Sequence, residues 1–303
     1  GLVYATSRLV MGVGESVSYV TVEHLLAQYD LMLASWIPDL GIYEVELRPE
    51  EDYDAISMLL LDLPEVEEVG RNVMVSLTAH DVEVKDAYLP TGQADYLNLI
   101  RAELGWQITQ GTSNVVIGVV DSGVDRLHPD LHAQITDGSR CMVCTAADSI
   151  GHGTAIAGII AAEHGTTGMS GIAPGCKLLV HKALVKEFKV RGRHFSPMVG
   201  KVNGINKVVK AGPEVLNMSF GVRSPGVDSW PLRWAVQKAD KAGVVLIAAT
   251  GNKGYEITKI DSSGTGEIYA PASYPEVLAV GGVASDDVRC TKSNWGDDVI
   301  YAP

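Results

Sequence analysis

Phenylalanine is scarce, at 3 of 303 residues, and all aromatics together reach only 6%, which suggests a largely aliphatic core. Cysteine is scarce as well. Cys141 and Cys144 form one Cys-x-x-Cys, while Cys176 and Cys290 stand alone. A zinc site wants a second close pair or neighbouring histidines. A disulfide, a redox pair or plain buried thiols fit this spacing better. Positive charge is in deficit, with 24 Lys+Arg against 37 Asp+Glu and a net charge of −13. A protein that grips a phosphate backbone needs a basic footprint, so no nucleic-acid partner is expected. No apolar run approaches the ~18 residues that a membrane-spanning helix needs. No basic segment followed by an apolar signal core opens the chain at Gly1. What is present is 46% hydrophobic and 20% charged residues, which excludes a disordered chain or a coiled coil.

Two regions differ in character. Residues 1 to about 80 read as a small α+β unit. Tyr4 to Val13 suits a strand and Val22 to Gln28 a helix. Leu40 to Leu47 alternates apolar and polar side chains, the pattern of a half-buried strand. Glu51 to Leu63 has helical apolar spacing and is stopped by Pro64; Val66 to Val75 reads as another strand. Two such strand–helix–strand units suggest a ferredoxin-like sandwich. Residues 81–110 are more polar, with Pro90, Thr91 and Gly92, and read as a linker with a lead-in helix near Leu97 to Trp106. From 111 to 303 continuous apolar runs recur at Val115–Val120, Lys177–His181, Val215–Met218, Val244–Ala249 and Val277–Val280. Helical stretches fall between them at Thr154–Ala162, Val199–Lys210 and Leu232–Ala242. This alternation predicts an α/β fold, a parallel sheet with helices on both faces. In such sheets function gathers at the carboxyl ends of the strands.

Three motifs sit at those ends. Val119-Val120-Asp121-Ser122-Gly123-Val124-Asp125 runs into His128-Pro129-Asp130-Leu131. An aspartate there is rigidly held, though a turn or helix N-cap role is also common. Gly151-His152-Gly153-Thr154 opens a helix of small residues, and its flanking glycines let other backbone approach closely. Ala248-Ala249-Thr250-Gly251-Asn252-Lys253-Gly254 ends a strand with an amide that either aims a donor into a cleft or serves the turn.

In this order the three blocks resemble the subtilisin-like serine proteases, the subtilases of peptidase family S8. Asn217-Met218-Ser219-Phe220-Gly221 resembles the family's substrate-strand motif, and Tyr274-Pro275 to Gly281 a further family segment. The resemblance covers about 110 to 303, and residues 1–80 look like the family's propeptide, an inhibitor and folding aid. It implies that Asp121 orients His152, that His152 is the general base, and that Asn252 donates to the oxyanion. It implies that Ser219, Phe220 and Gly221 pair with substrate main chain. Ala249 and Gly251 would line an open apolar side-chain pocket. The implied protein is a secreted or cell-envelope endopeptidase acting on polypeptides, made as a zymogen that its own propeptide inhibits. Self-cleavage would fall between Leu77 and Gln93. Asp130 matches a family position that often binds calcium; no other cofactor is implied. The family's serine lies in a Gly-Thr-Ser motif beyond an Ala-Pro-Gly segment, so the nucleophile is expected after Ala302-Pro303. Ser262-Ser263-Gly264 precedes the Tyr274-Pro275 segment, where the family has a surface loop, and is not that serine. A catalytically inactive pseudoprotease that binds peptides is the alternative.

Overall fold

The computed structural model describes residues 4–14, 16–77, 90–136, 147–164, 168–183, 188–190, 193–225, 229–258 and 267–303. Its first unit comprises β1 (Tyr4–Val13), α1 (Tyr19–Gln28), β2 (Met32–Ile37), β3 (Ile42–Glu46), α2 (Tyr53–Leu61) and β4 (Val66–Leu77). The strands pair antiparallel in the order β4-β1-β3-β2, the ferredoxin-like arrangement of two interleaved strand–helix–strand units. Strand alternation decides the two faces. Leu9, Met11, Tyr43 and Val45 turn to one side and form a core with Val22, Leu26 and Leu60 of the helices. Val10, Ile37 and Ile42 turn to the other side and join the core of the second unit. On that second side Glu44 is buried but satisfied, receiving hydrogen bonds from Asn72, from Ser35 at 2.7 Å and from Arg8 at 3.3 Å.

Two helices follow, α3 (Pro90–Leu99) and α4 (Ala102–Ile108), where one was expected. Arg101 separates them in the left-handed conformation at φ 54°. Gln93 and Trp106 fasten them to the loop before the next strands through Ser170 and the Ile172 carbonyl.

The second unit runs β5 (Val116–Asp121), α5 (His152–Ala161), β6 (Lys177–Lys182), β7 (Phe188–Val190), β8 (Arg193–Pro197), α6 (Met198–Lys210), β9 (Val215–Met218), β10 (Phe220–Pro225), α7 (Trp230–Lys241), β11 (Val245–Ala249), β12 (Glu267–Ala270), β13 (Val277–Gly282) and β14 (Val299–Ala302). Six of these strands form a parallel sheet in the order β14-β13-β11-β9-β5-β6. Helix α5 packs on one face through Ala157 and Ala161, and α6 and α7 cover the other. On the α5 side the far strands carry Val245, Leu278 and Ile300 at 46–53% exposure, an apolar face over which no described helix lies.

The two units meet at α6 and α7. The Trp230 ring lies against Gly12 and Gly70. Lys210 pairs with Asp39, and Lys238 donates to the Asp39 carbonyl at 2.7 Å. No helix of the described residues is long and apolar enough to cross a membrane.

Candidate active site

Asp121 is the last residue of β5, which lies inside the sheet between β9 and β6. Its side chain is fully buried. His152 is the first residue of α5, preceded by Gly151 in the left-handed region at φ 89°. The two meet: His152 Nδ1 is 2.7 Å from Asp121 Oδ1. The glycine after the histidine makes this approach possible, because a Cβ at Gly153 would overlap the Gly123 carbonyl and sit 3.2 Å from Asp121 Cβ.

The contact is held from behind through Asp148, which the sequence did not single out. Ser122 Oγ donates to Asp148 Oδ1 and accepts from the Gly153 N–H, both at 2.9 Å. Asp148 also accepts from the N–H groups of Ile150, Gly151 and Thr154 and from the Thr154 hydroxyl. One carboxylate thus gathers the donors around the start of α5 and ties them to the tip of β5. Burial works against the charged form of Asp148, but these donors outweigh it and hold its carboxyl below the ordinary aspartate value. The signal for Asp148 was present in the sequence: an acidic residue just ahead of a helix start, with Thr154 one turn in.

Burial alone would push the His152 imidazole down. Its hydrogen bond to Asp121 and the charges of Asp121 and Asp148 outweigh that effect and raise its proton affinity. Lys201, on the first turns of α6, is fully buried, and burial pushes its amine well down against the opposing pull of Asp121. Nothing in the sequence pattern marks this lysine.

Asn252 follows β11 and is half-buried, and among the described residues its side-chain amide has no hydrogen-bond partner. The turn that presents it is organised by Asn294, also fully buried. Asn294 Oδ1 accepts from the N–H groups of Lys253 and Tyr255, and its Nδ2 donates to the Thr250 carbonyl at 2.8 Å. Such a long-range brace leaves no local signature.

Ser219 links β9 to β10, with its Oγ 2.9 Å from Asn217 Nδ2. Phe220 and Gly221 begin β10, and their edge is occupied. The end of β4 pairs with them antiparallel, Ser76 opposite Gly221 and Leu77 opposite Phe220. On its other side the same segment pairs with β8, Met74 to Ser76 against Phe195 to Pro197. The N-terminal unit therefore threads its last strand between two strands of the second unit. Ala249 is the last residue of β11, and the space next to Gly251 is filled by the Tyr269 ring, where an open pocket was expected from small side chains.

Asp130 is buried, and its Oδ2 accepts the Met169 N–H at 3.2 Å with Gly168 packed against it. Among the described residues no group of three His, Cys, Asp or Glu side chains converges to hold a metal ion. Cys176 and Cys290 are free thiols. Cys141, Cys144 and Ser262–Gly266 lie outside the described residues.

A sequence model of the subtilase family matches residues 112–303. Subtilisin E of Bacillus subtilis is 34% identical over 196 residues, which cover 63% of this chain and 47% of that protein. The chain thus spans about half the length of this curated relative. The epidermin leader peptide processing serine protease of Staphylococcus aureus superposes with a TM-score of 0.76 at 17% identity, over 98% of this chain and 75% of that one. Fervidolysin of Fervidobacterium pennivorans, a keratinolytic enzyme related to subtilisin, superposes with a TM-score of 0.74 at 22% identity, over 100% of this chain and 47% of that one. These likenesses extend over the N-terminal unit as well as the parallel sheet.

Proposed function

Because the chain belongs to the subtilase family, we propose that it carries the aspartate, histidine and oxyanion groups of a serine endopeptidase, made as a zymogen. The observation that carries this reading is the 2.7 Å contact of Asp121 with His152 at a strand tip, beside a groove that already holds an extended strand. In this scheme the nucleophile is a serine outside the 303 residues. His152 Nε2 takes the hydroxyl proton as Oγ bonds to the scissile carbonyl carbon. Asp121 fixes the imidazole through Nδ1 and stabilises the imidazolium. The Asn252 amide, uncommitted among the described residues, donates to the carbonyl oxygen as it becomes an oxyanion. The imidazolium then gives its proton to the departing amine, and water releases the acyl group by the same steps in reverse roles. No cofactor is needed. The apolar face at Val245, Leu278 and Ile300 is where a helix bearing that serine would pack.

The N-terminal unit would be the inhibitor. Its tail pairs along Phe220 and Gly221 as a substrate main chain would, and self-cleavage falls in the window from Leu77 to Gln93. The implied setting is secreted or envelope-associated, and the substrates are polypeptides. His152 must be neutral to act as base, and its proton affinity is raised above the ordinary 6.5, so the acid limb of kcat/KM lies above that pH. The deciding experiment is labelling of the full-length, matured gene product with a serine-directed phosphonate. One label per chain is expected, abolished in His152→Ala. A folded, tail-free product that takes no label would instead be a peptide-binding pseudoprotease.

A further inference from the structure

The proposed peptide path assigns a place to each substrate residue. Main chain runs along Phe220 and Gly221, and the scissile carbonyl sits at the Asn252 amide. The side chain just before the cut bond then falls between Gly221 on one wall and Gly251 on the other. A single ring spans that gap. Tyr269 stands on β12, opposite Arg223 of β10. A Cβ added at Gly221 would lie 3.0 Å from its Cδ1 and Cζ, and one added at Gly251 would lie 2.5 Å from its Cζ and 2.8 Å from its Cε1. The tyrosine leaves no room for a Cβ on either wall, and at Gly251 the Asn294 amide at 2.8 Å and a φ of 101° demand glycine as well. The ring is 7% exposed.

Its backbone is anchored. The Tyr269 N–H donates to Ser273 Oγ at 2.9 Å, its carbonyl accepts the Ser273 N–H at 3.0 Å, and Ser273 is fully buried. A bulky substrate side chain could enter only by displacing the ring from close-packed surroundings, and interiors resist overpacking. We propose that Tyr269 closes the side-chain pocket and limits the residue before the scissile bond to a small one, such as glycine, alanine, serine or threonine. This specificity rests on the endopeptidase reading.

The test compares peptide anilides that differ only at that residue, alanine against phenylalanine, with the full-length matured protein. Wild type should favour alanine in kcat/KM by about tenfold or more. Tyr269→Gly should raise the phenylalanine-to-alanine ratio by about tenfold or more. A wild-type preference for phenylalanine overturns the inference without help from any variant, and so does an unchanged ratio in an active Tyr269→Gly. If neither anilide is cut by either protein while both remain folded, the endopeptidase reading itself falls, and the pocket assignment with it.

Discussion

Acid should weaken this protein through one buried histidine beneath the site. His181 lies on β6 opposite Val120, the residue before Asp121. It is 7% exposed and faces α6, where a Cβ at Gly204 would come within 2.9 Å of its ring. Burial, helped by the positive charge of Lys207, holds its proton affinity down to about 4 from an ordinary 6.5. The folded state therefore refuses a proton that the unfolded chain accepts between those values. Stability is fully present above pH 6.5 and is lost as pH falls towards 4. Each unit of difference is worth ~1.4 kcal/mol, so this group alone removes about 3 kcal/mol between pH 7 and pH 4. That is a large share of the ~5–15 kcal/mol typical of a domain. His181→Leu keeps a similar volume and cannot titrate. Urea unfolding of both proteins at half-unit steps from pH 7 to 4 isolates the effect, because carboxylates common to both cancel in the difference. Wild type should lose about 3 kcal/mol relative to the variant across that range. Parallel stability curves would refute the reasoning.

Three further outcomes follow from the site. Ser122→Ala removes the bridge between Asp148 and the Gly153 N–H, leaves that buried N–H without its acceptor and Asp148 with one donor fewer, and should cost about 1–2 kcal/mol in denaturant unfolding; an unchanged midpoint would contradict this. Lys201→Met should be more stable than wild type at pH 7, with the advantage shrinking as pH rises towards the ordinary lysine value of 10.5, because only the folded state disfavours the ammonium; an advantage independent of pH in unfolding curves would show that the amine keeps its charge. Asn252→Ala in the full-length product should lower kcat by roughly 10²–10³ with KM little changed, a magnitude known from the subtilases themselves; an equal rise in KM instead would assign the amide to ground-state binding.

What was legible in the sequence is what local chemistry constrains. The parallel strands announced themselves because burial on both faces demands unbroken aliphatic runs, and each of the five expected is a strand within a residue or two of its expected bounds. Asp121 and His152 were legible because each stands where a strand or helix ends and glycines crowd around it. β2 escaped notice: Met32 to Ile37 alternates weakly, and only its pairing with β3 makes it a strand. β10 and β12 escaped for the same reason, since their ladder joins residues about 45 positions apart. The end of β4 was read as an ordinary strand of its own unit, yet its last residues belong to a ladder with β8 and β10 that no window of sequence contains.

The same limit applies to the side-chain pocket. Small residues at Ala249 and Gly251 suggest an empty space when taken alone, but a glycine reports only that something approaches its Cα. Here Gly221 and Gly251 are separated in sequence from each other and from Tyr269, and all three close on one volume only after β10 and β12 pair. The ring and the two glycines are one packing solution, so substitution at any of the three tests the others. Gly251→Ala should be tolerated better beside Tyr269→Gly than beside the native tyrosine, although its φ of 101° leaves some strain in both. A double-mutant cycle by urea unfolding should give a coupling of about 1–3 kcal/mol between the two positions. Strict additivity would mean that the ring can move aside, and a ring that moves aside could not close the pocket.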